Sequence, residues 1–227
     1  MELAGADARK LLVVLRAKDG DRVEICDSSG SSFSATLAID GSRVRARLGD
    51  AHEPPAPRAI ELVLAQALPK GQKMDFAIEK ATELGIACII PFTSERSVAG
   101  AARAGKLERW RRLAHTAAQQ CGRRDVPAVE DPVEWDVLTE RFRSYDLALV
   151  PWELAEPIPL RERLPALLRG ARSVLIAIGP EGGLSHAEVQ RAADAGGRLV
   201  SLGSRILRTE TAGLVACSAV LYAAGDL

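Results

Sequence analysis

Four polar residues, Arg208, Thr209, Glu210 and Thr211, stand directly before a long apolar segment, AGLVACSAVLYAAG. One use for them is capping: a Thr209 or Thr211 hydroxyl can accept a backbone N–H at the start of the last helix, and Glu210 suits the positive end of its dipole. Capping leaves Arg208 unexplained, because a cation near a helix N-terminus is unfavourable unless a carboxylate or an anionic ligand offsets it. Arg208 beside Glu210 therefore reads as a candidate functional pair. A second stretch, IGPEGGLSHAE, places Gly179, Pro180, Glu181, Gly182 and Gly183 between an apolar run and a capping box from Ser185 to Glu188. Such glycines let a flat ligand approach backbone N–H and C=O groups, and they equally make a plain tight turn. The pattern is neither G-x-G-x-x-G nor a phosphate-binding loop ending in Lys-Ser/Thr. A third stretch, VPWELAEP, is less specific, and Trp152 in it is expected to pack rather than stack on a ligand.

These stretches need elements to hold them. The first fifty residues show alternating runs, DRVEICD, SSFSATLAI and GSRVRARL, separated by KDGD, SSGS and DG, which predict strands and turns of a small antiparallel sheet or barrel. HEPPAPR, from His52 to Arg58, carries three prolines and reads as a linker. Beyond it, apolar strands in AIELVLAQAL, IACIIPF, YDLALVPWE, RSVLIAIG and RLVSLG alternate with helices in GQKMDFAIEKATELG, GKLERWRRLAHTAAQQCG, LRERLPALLRG, SHAEVQRAADAGG and a last helix over Ala212–Ala224. Continuously apolar strands with helices between them predict an α/β fold with a parallel sheet. Ligands in such sheets sit in the loops after the strand carboxyl ends, where all three stretches fall. The last helix is apolar on nearly every side, which predicts burial against the sheet or against a second subunit.

With 227 residues, 47% of them hydrophobic, the chain has material for one large domain or two small ones. No apolar run approaches the roughly 20 residues that cross a bilayer, and the start lacks a signal-peptide pattern, so the expectation is a cytoplasmic protein with no membrane partner. Cys26, Cys88, Cys121 and Cys217 lack metal-ligand or disulfide spacing; no metal is expected, and the four are read as reduced thiols in or near the core. The formal net charge is zero, so a nucleic-acid partner needs a local patch. From Arg103 to Arg124, seven cations (Arg103, Lys106, Arg109, Arg111, Arg112, Arg123 and Arg124) face one acid, Glu108, either as such a patch or as a solvated face balanced by acids from elsewhere.

IGPEGGLSHAEV, LGSRILRTETAGL, KGQKMDFAIEKATELGI with PFTSERSV, and QQCGRRDVP together resemble the bacterial family of 16S ribosomal RNA (uracil-N3)-methyltransferases, which belongs to the SPOUT class of S-adenosylmethionine-dependent enzymes. The resemblance runs from about Val23 to the C-terminus. It implies a PUA-like β-barrel for RNA over residues 1–52 and a SPOUT α/β domain over 58–227, whose last segment threads a loop into a trefoil knot. It also implies a homodimer with an RNA site shared across the interface, acting on 16S rRNA within the small ribosomal subunit. S-adenosylmethionine would lie between two walls. One is made of Ile178, Gly179, Pro180, Glu181, Gly182 and Gly183, with Pro151 from the neighbouring strand; the other is made of Leu202, Gly203, Ser204, Ile206, Leu207, Arg208, Thr209, Thr211 and Ala212. Lys73, Arg96 and Arg123 match positions where a cation would meet RNA phosphates. Two departures stand out. The family's additional basic strand ahead of DARKLLVVLRAKDGD is expected to be missing, leaving the barrel without its first strand, and Gln119 replaces a common Glu.

The implied reaction moves a methyl group to N3 of a uridine. That nitrogen becomes nucleophilic as its proton leaves and charge spreads onto O2 and O4, so the site needs an acceptor and a cation. Glu210 and Arg208 are the catalytic candidates. Ribose 2′-O methylation on the same fold, a non-catalytic RNA-binding assembly factor and a generic nucleotide-using α/β enzyme are the competing readings.

Overall fold

The computed structural model describes residues 1–27, 31–53, 57–97, 104–155 and 160–227. Part of the SSGS turn, Pro54 and Pro55 of the linker, Arg103 of the basic stretch and the end of the VPWELAEP loop lie outside the described residues. The chain divides into two compact units, Met1–Pro57 and Arg58–Leu227.

The first unit holds β1 (Glu2–Leu3), α1 (Gly5–Arg9), β2 (Arg22–Cys26), β3 (Ser32–Asp40) and β4 (Arg43–Ala51). Its four strands pair antiparallel in the order β1-β4-β3-β2. The alternation legible in GSRVRARL is realised: Val44 and Ala46 are buried with Ala35 and Leu37, while Arg43, Arg45 and Arg47 point outward. The short strand β1 pairs Glu2 with Arg45 and Leu3 with Val44, and the Met1 ammonium donates to the Ala46 carbonyl at 2.8 Å. Sequence periodicity gives no helix in this region, yet GADAR forms one and KLLVV continues it as a wider turn. The reason is packing on the small core: Ala8, Leu11 and Leu12 turn inward, and Val13 and Val14 are left 64% and 70% exposed, so the run has no single apolar face to detect.

The second unit contains β5 (Glu61–Ala67), α2 (Lys73–Glu83), β6 (Cys88–Thr93), α3 (Ala104–Cys121), β7 (Ala128–Val129), β8 (Val133–Glu134), α4 (Trp135–Glu140), β9 (Leu147–Pro151), α5 (Leu160–Leu167), β10 (Ser173–Ile178), α6 (His186–Asp194), β11 (Arg198–Val200) and α7 (Thr209–Ala224). The strands form one parallel sheet in the order β11-β9-β10-β5-β6-β7, with β8 also on β6. Successive strand residues serve opposite faces. Leu62, Leu64, Ile176 and Ile178 pack with α2, α3, α5 and α7, whereas Val63, Ala65, Leu175 and Ala177 pack with α4 and α6. Two-sided burial is what made these strands read as continuous apolar runs.

Helix α7 runs back across β5 and β10. Its sixteen residues rise roughly 24 Å, close to the span of a seven-residue strand at about 3.3 Å per residue. One end meets the carboxyl edge of the sheet through Thr209, and just past the other end Asp226 accepts hydrogen bonds from the N–H groups of Ala59 and Ile60 at the amino edge, both at 3.0 Å. The helix buries Gly213, Ala216, Cys217, Val220 and Leu221, while Val215 and Tyr222 remain exposed. The four cysteines divide differently from expectation: Cys217 is buried and Cys88 half-buried, but Cys26 and Cys121 are on the surface, because they fall on an outward strand position and a helix end. Burial pushes the Cys88 and Cys217 thiols up to about 12, so both stay protonated.

Three cations of the basic stretch form ion pairs with nearby acids. Arg109 pairs with Asp75, Arg111 with Glu108 and Asp131, and Arg123 with Asp125. Arg123 also donates to the Thr82 carbonyl at 2.8 Å, and Arg58 reaches Asp125 at 2.5 Å. The Arg123 hydrogen bonds, helped by Arg58, hold the Asp125 carboxyl down at about 2, below the ordinary value of about 3.9. A depressed carboxyl contributes stability that is complete above the unfolded value and disappears as pH falls through the folded one. Asp125 is half exposed, so solvent screening keeps the contribution small. The stability difference between the wild type and Asp125→Asn should therefore be larger at pH 5 than at pH 2, measured by urea unfolding at the two values.

Candidate functional site

The carboxyl ends of β5, β6, β9, β10 and β11 carry the loops that sequence alone marked, and a buried polar contact ties two of them to α7. Gln66, second to last in β5, is fully buried in an otherwise apolar strand. Its side-chain N–H donates to the Thr209 hydroxyl at 2.8 Å, and that hydroxyl donates to the Gly179 carbonyl at 2.6 Å. Thr209 is thus neither N-cap nor spare. Arg208 occupies the cap position in extended conformation without a side-chain cap bond, and Thr209 is the first helical residue, turned inward to the sheet. The capping reading of Thr209 and Thr211 fails because the hydroxyl that could have closed on its own helix has better partners in β5 and after β10. Gly213, one turn further on, sits so close to Gln66 and Leu64 that a Cβ there would lie 3.1 Å from the Gln66 Oε1 atom.

Charged groups converge beside this contact. Lys73, the first residue of α2, places its ammonium 2.8 Å from Glu181 in the glycine loop and 3.7 Å from Glu210 in α7. The Lys70 N–H also donates to Glu181, at 3.1 Å. Burial pushes the Glu181 carboxyl up, but the Lys73 hydrogen bond, the backbone donors and the Lys73 charge outweigh it and hold the group below the usual range. The Glu181 hydrogen bond in turn raises the Lys73 ammonium above an ordinary lysine, against desolvation and the nearby Arg208 charge, so Lys73 stays charged. Arg208 itself is exposed.

The glycine loop is braced from two further sides. The Arg96 guanidinium donates to the Gly182 carbonyl at 2.8 Å. Gly183 has φ +68°, and a side chain there would run into Glu153, whose Oε1 lies 2.6 Å from where a Cβ would be. The expected capping box is present: the Ser185 hydroxyl accepts from the Glu188 N–H, and the Glu188 carboxylate accepts from the Ser185 N–H at 2.8 Å. Glu188, only 2% exposed, also accepts from the Glu95 N–H at 2.8 Å, which fastens the loop after β6 to the loop after β10.

Four buried side-chain polar atoms among the described residues have no hydrogen-bond partner, and three of them are here: Gln66 Oε1, Trp152 Nε1 and Glu210 Oε2. Leaving such an atom unpaired costs roughly 1–3 kcal/mol, so each is a place where a water or a ligand atom would be stabilising. Trp152 meets His186 edge-on at 5.2 Å and so does pack, as expected, but its free indole N–H keeps a role open. Open concavities of about 610 Å³ near Arg58 and Arg172 and of about 630 Å³ near Val126 and Glu130 lie elsewhere and lack such unpaired atoms.

Of the residues singled out from sequence, Gly179 and Thr209 are brought into contact, as are Glu181, Lys73 and Glu210, and Arg96 and Gly182. Pro151 and Ile178 end β9 and β10, and Leu202, Gly203, Ser204, Ile206 and Leu207 form the segment between β11 and α7, with Gly203, Ser204 and Ile206 exposed. Thr211 and Ala212 follow in the first turn of α7. Arg123 is placed at the opposite end of α2 from Lys73, largely buried and committed to Asp125 and Thr82. Gln66, Trp152, Glu153 and Glu188 were not singled out as site residues; the one available signal was a lone amide inside ELVLAQAL, the mark of a buried polar group that needs a partner. No cluster of three His, Cys, Asp or Glu suited to a metal ion occurs among the described residues.

The arrangement brings together two carboxylates, Glu181 and Glu210, the Lys73 ammonium and an exposed cation, Arg208. Its stability rests on Glu188, whose charge-assisted bonds are worth about 1.5–3 kcal/mol. Replacing Glu188 by Gln should lower the melting temperature by about 4–8 °C, on the scale of about 2 kcal/mol for a unit of this size. Calorimetry measures it, and an unchanged melting temperature would mean that the two loops are fastened by something else.

Comparison with known proteins adds the following. A family model described as an RNA methyltransferase domain matches residues 56–221. The chain is 34% identical over 227 residues to the ribosomal RNA small subunit methyltransferase E of Bacillus subtilis (strain 168), covering 97% of this chain and 89% of that protein. It is 32% identical over 212 residues to the protein of the same name in Mycobacterium tuberculosis (strain CDC 1551 / Oshkosh), covering 91% and 80%. The crystal structure of a ribosomal RNA small subunit methyltransferase E from Neisseria gonorrhoeae bound to S-adenosyl methionine superposes with a TM-score of 0.86 at 29% identity, covering 98% of this chain and 91% of that one.

Proposed function

The chain belongs to the RNA methyltransferase family, and from that premise we propose that it transfers a methyl group from S-adenosylmethionine to N3 of a uridine in the 16S ribosomal RNA of the small subunit. The observation that carries this reading is the buried junction at the strand ends, where Thr209 joins α7 to β5 and the glycine loop and Gln66 Oε1 is left without a partner. The free Gln66 Oε1 suits a ligand that donates a hydrogen bond, and the nearby carboxylate of Glu181 suits one that bears a positive charge. Residues 178–183 and 202–212, with Pro151, are the proposed walls of the cofactor recess, and the last segment is proposed to thread a trefoil knot. The small antiparallel sheet of the first unit fits a PUA-like barrel.

S-adenosylmethionine supplies an electrophilic methyl group on its sulfonium. The chain's own residues must then make uracil N3 nucleophilic. Glu210 Oε2, buried and unbonded, accepts the N3 proton as the new N–C bond forms. Arg208, exposed at the mouth, meets the negative charge that spreads onto O2 and O4. Gln66 and Thr209 keep the glycine loop and the start of α7 at fixed separation, which would hold the acceptor in one position relative to a cofactor bound between them.

Contacts to RNA come from cations without acidic partners. Arg43, Arg45 and Arg47 project from one face of β4, three positive charges at every second residue, and no ion pair among the described residues engages them. Such a row suits the phosphate backbone more than any base. A second copy of the chain is proposed to cover the apolar face of α7 that leaves Tyr222 76% exposed, giving a cytoplasmic homodimer.

The test is methyl transfer from labelled cofactor to small subunits lacking the modification, with the position read by mass spectrometry and by reverse-transcription stops, which N3 methylation causes and ribose methylation does not. Arg208→Ala should lower turnover about 10²–10³-fold with the calorimetric affinity for S-adenosylmethionine little changed. Loss of cofactor binding in that variant would overturn the role given to Arg208.

A further inference from the structure

Lys73 sits where a cation is disfavoured, on the first residue of a helix, and its motif position suggests a phosphate contact. Its surroundings point elsewhere. The ammonium is bonded to Glu181 at 2.8 Å, lies 3.7 Å from Glu210 Oε2, and is two-thirds covered. Glu210 is covered further still, with 12% of its side chain accessible, and Oε2 accepts no hydrogen bond. The charged groups around the Lys73 ammonium come from three elements: Glu181 from the glycine loop, Glu210 from α7 and Arg208 from the preceding loop.

We propose that Lys73 is a positioning residue of the transfer step: anchored on Glu181, its ammonium holds the Glu210 carboxylate in place while leaving Oε2 unbonded for the incoming N3 proton. The inference rests on Glu210 being the proton acceptor. The geometry divides the work between two cations. Lys73 neutralises the pair Glu181 and Glu210 from within, so Glu181 does not repel charge developing on the base, and Arg208 stays free for O2 and O4. A distance of 3.7 Å is long for a hydrogen bond and short for a Coulomb contact, which orients a carboxylate without occupying the lone pair that the reaction needs. To meet a phosphate instead, Lys73 would have to abandon both carboxylates. The same ammonium joins α2, the glycine loop and α7, three segments far apart in the chain.

The experiment measures methyl transfer to small subunits at several salt concentrations for Lys73→Met, Lys73→Arg, Glu210→Gln and the double variant Lys73→Met/Glu210→Gln. Melting temperature and cofactor affinity are recorded for each, and Lys73→Gln replaces Lys73→Met if the latter does not fold. The expected result is a kcat about 10²-fold lower for Lys73→Met, an unchanged KM and salt dependence, substantial rescue by Lys73→Arg, and a double variant no slower than Glu210→Gln alone, as for residues that act as one unit. A raised KM with the salt slope reduced by about one and kcat intact would make Lys73 a phosphate contact and overturn the inference; so would multiplicative losses in the double variant. If Glu210→Gln keeps the wild-type rate, the acceptor reading fails and the inference falls with it. If Glu210→Gln is inactive and the Lys73 variants are normal, the inference alone fails.

Discussion

One hydroxyl holds the site together. Thr209 accepts from Gln66 and donates to the Gly179 carbonyl, so a central strand, the glycine loop and the last helix share a buried two-bond junction. Buried polar groups are tolerated only when paired, which makes such a junction intolerant of slack: moving any one member leaves another unsatisfied at roughly 1–3 kcal/mol. The start of α7 is fixed by it and the far end by Asp226 against Ala59 and Ile60, so the helix is pinned at both edges of the sheet. Gly213 lets α7 approach Gln66 closely, since a Cβ there would press on the Gln66 Oε1 atom at 3.1 Å. Arg208 and Glu210 flank Thr209 in sequence, so the same packing contact fixes where both begin.

Charge is managed locally. A chain with no net charge has no long-range pull on nucleic acid, and three cations of the basic stretch are paired through Asp75, Asp131 and Asp125. Two further charged groupings stand out: an outward row of arginines on β4 and a compact group of Lys73, Glu181, Glu210 and Arg208 at the strand ends. The first suits a polyanion held at its surface. The second suits proton removal, since a buried carboxylate with one unbonded oxygen is poised to accept.

Much of this was legible in the residues. The parallel strands showed as continuous apolar runs because both faces are covered, and the α6 cap showed as Ser185 and Glu188 three apart. The segments 179–183 and 202–208 do follow strand carboxyl ends, those of β10 and β11, as the apolar runs implied. What stayed hidden depends on long-range partners. Lys73 and Glu181 are more than a hundred residues apart, and nothing local announces their bond. Gln66 looked like a blemish in a strand, Thr209 like a cap, and Arg123 like a free cation, until the fold supplied Thr209, Gly179 and Asp125 as their partners. The short helix Gly5–Arg9 escaped because its apolar residues are split between a small core and the surface.

The central claim is that the Gln66–Thr209–Gly179 junction builds the cofactor recess. Thr209→Val keeps the shape of the side chain and removes both bonds, so calorimetric titration with S-adenosylmethionine tests it directly. The account predicts at least about tenfold weaker binding, equivalent to about 1.4 kcal/mol, with α7 still formed by circular dichroism; an affinity equal to the wild type would contradict it.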